Sequence, residues 1–129
     1  MTRPHAGDLA LVAAGAAVGA LGRWAIVSWE HGSSLPWLTL SVNVVGAFLL
    51  GVLPALPAVR RSRRVALALG PGVLGGFTTV SAWAGQVTGL ARDGHQTLAG
   101  LLVVTSLAGT LVAAHLGRRL SRLRQETHR

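Results

Sequence analysis

Apolar residues run along this chain with hardly any alternation. Four stretches, residues 9–29, 37–59, 65–91 and 97–117, consist almost wholly of side chains that hydrocarbon tolerates, and short polar segments at 30–36, 60–64 and 92–96 separate them. About 20 such residues cross the ~30 Å core of a bilayer as a helix, whereas half-buried strands and soluble helices alternate with periods of 2 or 3.6. The pattern predicts an all-α membrane protein with four transmembrane helices in a single domain covering residues 1–129. The first run is too long for the core of a cleavable signal peptide and is expected to remain as a helix. Trp24, Trp29 and Trp37 fall around the first connection, as an aromatic belt at a membrane interface would.

The third run is interrupted. Between Gly70 and Trp83 it reads GPGVLGGFTTVSAW, with four glycines, a proline and three hydroxyl residues, Thr78, Thr79 and Ser81. Glycine and proline release carbonyls from the helical ladder, and in hydrocarbon a released carbonyl must find a partner inside protein, in water or on an ion. The third helix is therefore expected to be broken near its middle, and the break reads as an ion site.

Composition supports a membrane chain. Charged residues make up only 12%, against about a quarter in soluble domains. There is no cysteine, which excludes disulfides and thiolate metal sites. The formal net charge of +8 would suggest nucleic acid in a soluble protein. Here the arginines cluster at span ends: Arg3, then Arg60, Arg61, Arg63 and Arg64, then Arg118, Arg119, Arg122, Arg124 and Arg129 all fall on one side, with Arg92 opposite. Insertion bias and anionic lipid explain that distribution, and no nucleic-acid partner is expected. The positive-inside rule places both termini in the cytoplasm of a multi-pass cell-membrane protein. The tail from residue 118 reads as a short helix on the headgroups.

A few polar residues stand inside the spans. Arg23 either snorkels to the headgroups or lines a water-filled vestibule that attracts anions. Asn43 either bonds a neighbouring helix or presents its amide to a small anion, with Thr39 one turn away on the same face. Ser106 and Thr110, also one turn apart, form a hydroxyl track or satisfy their own helix backbone. Gly15, Gly19 and Gly22, with Gly46 and Gly51, read as close-packing faces. The sequence offers no carboxylate pair, no nucleophile with a base and no phosphate loop, so no enzyme is expected. The acids lie near or beyond the span ends, which argues against proton-coupled export and for a channel.

Three segments taken in order resemble the Fluc (CrcB) family of fluoride channels: Gly19-Ala-Leu-Gly-Arg23, Thr39-Leu-Ser-Val-Asn43-Val-Val-Gly46, and Gly75-Gly-Phe-Thr-Thr-Val-Ser-Ala-Trp83. The resemblance implies a passive, fluoride-selective channel that relieves fluoride toxicity, built as an antiparallel dual-topology dimer with two paths along the interface. It also implies a structural, non-transported sodium ion held by the backbone carbonyls of Gly75 and Thr78. Asn43 would be the pore amide, Ser106 and Thr110 the hydroxyl track, Val80 and Trp83 the positions of the path's rings, and Arg23 the vestibule cation.

The chain departs from that family at the rings. A Thr-Thr-Phe-Ser-Thr-Phe-Ser segment is usual; here Val80 replaces the first phenylalanine, Trp83 the second, and Gln86 the glutamate that follows. The one-sided arginines also oppose insertion in both orientations, so a heterodimer with an oppositely oriented homologue is expected in preference to a homodimer. The alternatives weighed are a small four-helix multidrug exporter and a non-conducting partner subunit.

Overall fold

The structure is a computed structural model and describes residues 5–29 and 37–126. The connection at 30–36, and Arg3 and Arg129 of the arginine pattern, lie outside the described residues. The described residues form helices joined by short breaks, with no strand among them, and four helical stretches are long and apolar enough to cross a membrane: Ala6–Val27, Trp37–Ala55, Arg63–Arg92 and Gln96–Arg124.

Helix α1, Ala6–Val27, begins earlier than the apolar run because its first turn holds Asp8, which accepts a 2.6 Å hydrogen bond from an Arg63 guanidinium nitrogen. The second span was expected to continue to residue 59. Helix α2 instead covers Trp37–Val52, tightens into a 3₁₀ turn at Leu53–Ala55, and gives way to a separate short helix α3 at Pro57–Arg61. Prolines dictate this. Pro54 cannot extend the α-helical ladder, and Leu56, directly before Pro57, is forced to an extended ψ of 123°.

The third span opens with α4, Arg63–Leu67, whose N-cap Ser62 accepts from the Val65 N–H. A wide π-helical segment follows at Ala68–Leu74, enclosing Pro71. Proline supplies no N–H and its ring crowds the carbonyl four residues back, and the wider turn relieves both. After one short turn, α5 at Gly75–Phe77, two residues leave the helix. Thr78 lies at φ −80°, ψ 151° and Thr79 at φ −145°, ψ 123°, before α6 resumes at Val80–Arg92.

Helix α7 covers Gln96–Glu126, 31 residues. Its tail corrects the expectation of a separate headgroup helix: with no proline after residue 117 and good helix formers through Arg124, the fourth span runs straight on. At 1.5 Å per residue it is about 46 Å long, roughly 16 Å more than the hydrocarbon core.

Two helix pairs are zipped by glycine. A Cβ on Gly19 would overlap the Val73 carbonyl, and one on Gly76 the Ala16 carbonyl, so α1 lies backbone to backbone against the third span. On the other side, a Cβ on Gly51 would stand 2.6 Å from the Ala114 carbonyl, while Gly117 faces Phe48 in the same way, joining α2 to α7. Gly22 meets nothing within 4 Å, so it takes no part in these contacts. The buried core is thin and made of small or medium residues, among them Val42, Leu74, Ala99, Leu102 and Ala113. Large side chains such as Leu21, Leu49, Val104 and Leu111 point outward, as a lipid-facing surface would.

Candidate functional site

The two extended threonines lie where the third span meets α2 and α7, and Asn43 fastens them. Its Oδ1 accepts the Thr79 N–H at 2.8 Å, and its Nδ2 donates to the Thr79 carbonyl at 2.9 Å. An asparagine amide is the one side chain that mimics a peptide in both senses, so it replaces both partners that Thr79 would have had in a helix. Of the two readings open for Asn43, the interhelical bond is present, and one amide proton remains beyond it.

That fastening has a second effect. In an unbroken helix the Thr79 N–H would close onto the Gly75 carbonyl, and the Ala82 N–H onto that of Thr78. The first is held by Asn43, and the second donates instead to Thr79 Oγ1 at 3.2 Å. The carbonyls of Gly75 and Thr78 are thereby both released from their ladder positions. Gly76 O, in the same stretch, receives a long 3.4 Å bond from Arg23 Nε. Arg23 thus reaches across to the interrupted segment, a partner that neither reading of it from sequence foresaw.

Among the described residues, no three His, Cys, Asp or Glu side chains come together to hold a metal. A cation here would depend on carbonyl oxygens. Released backbone oxygens without a side-chain charge suit a hard, singly charged ion, and the Gly75 and Thr78 carbonyls fit that description.

Beside the threonines is a cavity of about 310 Å³ lined by Asn43, Thr78, Thr79, Val80, Trp83, Ser106 and Thr110, with Ala47, Leu50 and Leu107. It gathers most of the path residues expected from sequence in one place, Arg23 excepted. Their chemistry differs from that of a simple hydroxyl track. Thr110 donates to the Ser106 carbonyl at 2.7 Å and Thr78 to the Leu74 carbonyl at 3.0 Å, so both protons are committed to their own helices. Ser106 is buried and accepts the Trp83 indole N–H at 3.1 Å. Val80 is 76% exposed and projects no polar atom.

One polar pair went unread in the sequence. Gln86 Nε2 donates to Thr39 Oγ1 at 2.9 Å, with Thr39 almost wholly buried, while Gln86 Oε1 is buried without a partner among the described residues. The signal for it was available, since Thr39 shares the Asn43 face and a polar atom inside a span needs a partner.

The geometry can be set beside known proteins. A fluoride-specific ion channel, FluC, of Opitutus terrae is 44% identical over 114 residues, covering 82% of this chain and 86% of its own length. The FluC of Agrobacterium fabrum is 38% identical over 120 residues, covering 89% and 96%. The protein named FluC 1 in Desulfitobacterium hafniense is 39% identical over 107 residues, covering 81% and 94%. The model of the family described as CrcB-like protein, Camphor Resistance (CrcB), matches residues 10–118, which reaches into all four spans and includes every residue of the site. By that match and these identities, this chain belongs to the CrcB-like family.

Proposed function

We propose that the chain is a subunit of a fluoride-selective passive channel that lets cytoplasmic fluoride leave the cell. The observation that carries this reading is the Thr78–Thr79 segment pinned by Asn43. It releases the Gly75 and Thr78 carbonyls from the helical ladder and borders a donor-bearing cavity. Fluoride is small and strongly hydrated, so a selective path replaces its water with convergent N–H and O–H groups. The remaining Asn43 amide proton and the Ser106 hydroxyl are such groups, and the apolar walls at Ala47, Leu50 and Val80 leave larger, less strongly bonded halides without compensation. Arg23, at the flank of this segment, draws anions toward it.

The third helix functions as two half-helices. In this reading a structural sodium ion binds the carbonyls of Gly75 and Thr78, where it would hold two interrupted segments together at the centre of a dimer. The subunits pack antiparallel, with the path along their interface. The partner is an oppositely oriented homologue, because the arginines would hold both termini of this chain in the cytoplasm. Relatives named FluC 1 in Desulfitobacterium hafniense and FluC 2 in Listeria innocua are consistent with paired subunits. Proton-coupled multidrug export lacks a free carboxylate in the middle of the first span, since the one acid there, Asp8, lies in its first turn and is tied to Arg63.

Fluoride efflux from liposomes tests both levels. The chain with a co-expressed homologue is expected to release fluoride, and the chain alone to release little. Efflux from the chain alone would refute the obligate heterodimer, and no efflux from either preparation would refute the channel.

A further inference from the structure

Most polar hydrogens around the cavity are already in use. Thr110 and Thr78 donate to carbonyls one turn back, and one Asn43 amide proton goes to Thr79. On α7, Thr105 and Thr110 both bond the carbonyl four residues earlier, the usual fate of a hydroxyl inside a membrane helix. Ser106 lies between them and makes no such bond. A hydroxyl has one donor and two acceptor positions, whereas an indole nitrogen only donates, so the 3.1 Å contact has a fixed direction: Trp83 gives and Ser106 receives.

We propose that Trp83 is a positioning residue that sets anion specificity in this chain, by holding Ser106 Oγ as an acceptor and so keeping its proton for the anion in the cavity. The inference rests on the fluoride-channel reading above. Trp83 comes from α6 and Ser106 from α7, both line the cavity, and the indole anchors the hydroxyl away from its own helix. An accepted bond also polarises the hydroxyl, strengthening the bond it donates by about 10–30%. A compact anion of high charge density gains most from that. A phenylalanine at this position has no N–H, so it could neither anchor nor polarise Ser106.

A double-mutant cycle on the full-length chain, reconstituted with the homologue wherever the chain alone is silent, reads the coupling as the half-saturating fluoride concentration of efflux. Ser106→Ala removes a donor to a charged ligand and is expected to raise it at least about tenfold. Trp83→Phe is expected to raise it about threefold when Ser106 is present and to leave it unchanged in the Ser106→Ala background. The same factor in both backgrounds would overturn the proposal, because the ring would then act by packing or by its own contact. No change on Trp83→Phe in either background would overturn it as well. Absence of flux in the unsubstituted protein defeats the channel reading itself, a result separate from loss of coupling in a conducting protein.

Discussion

Removing the Asn43 side chain should cost stability before any question of conduction arises. Asn43→Ala orphans the N–H and the carbonyl of Thr79, which bond the amide at 2.8 and 2.9 Å on a buried residue. An unsatisfied buried backbone group costs about 1–3 kcal/mol. Polar contacts between membrane helices, measured by cycles, average only about 0.6 and reach about 1.7 kcal/mol, because the altered chain finds other partners. Here one such partner is at hand, since the Thr79 N–H can fall back onto Gly75 O. The expected loss is therefore about 2 kcal/mol, below the sum for two orphaned groups. Ser106→Ala leaves the Thr79 backbone bonded and orphans only the half-buried Trp83 indole N–H, so it should cost about 1 kcal/mol, less than Asn43→Ala. Reversible unfolding in bicelles, followed by steric trapping or SDS titration, measures both. An Asn43→Ala protein within about 0.5 kcal/mol of the parent, yet silent in efflux, would show that Asn43 serves the path alone and would refute the fastening role.

Two further outcomes check the packing and the orientation. Gly19→Leu drives a side chain into the Val73 carbonyl and should abolish the folded subunit, whereas Gly22→Leu, with nothing within 4 Å, should leave the isolated subunit's stability unchanged; thermal unfolding in detergent distinguishes them. Because the chain has no native cysteine, Arg124→Cys and Asp93→Cys can be probed singly in intact cells with an impermeant maleimide. Reaction is expected at 93 and protection at 124, and the reverse labelling would refute cytoplasmic termini.

The large features of the fold are legible because they depend on one-dimensional quantities. A run of about 20 apolar residues is a span wherever it occurs, and the glycines of 15–19 and 46–51 announce close helix contact through their missing side chains. The apolar run to residue 59 passes through Pro54 and Pro57 while the helix does not, since hydropathy does not stop at proline and the backbone does. The straight tail of α7 was misread for the converse reason: polarity changes at residue 118 but helix propensity does not. The site was legible as a set of residues and illegible as a circuit. Sequence selected Asn43, Trp83, Ser106 and Thr110, yet nothing local tells Asn43 that its partner is a backbone 36 positions away, or that Thr110 has already given its proton to its own helix. A half-buried indole N–H usually finds an acceptor, but nothing local in the sequence names Ser106 as the one for Trp83.

The two carbonyls at Gly75 and Thr78 are available only by default. Their natural partners, the Thr79 and Ala82 N–H groups, remain one turn away on the same chain and are kept occupied by two neutral side chains, Asn43 and Thr79. Any cation that uses those oxygens is therefore competing with tethered intramolecular ligands, whose effective concentration no solution ion can match. Occupancy by an ion then depends first on how firmly two amide and hydroxyl acceptors hold the rival donors, and only second on the ion's own concentration. A substitution that loosens Asn43 would free the rival of the Gly75 oxygen, and one that removes the Thr79 hydroxyl would free the rival of the Thr78 oxygen.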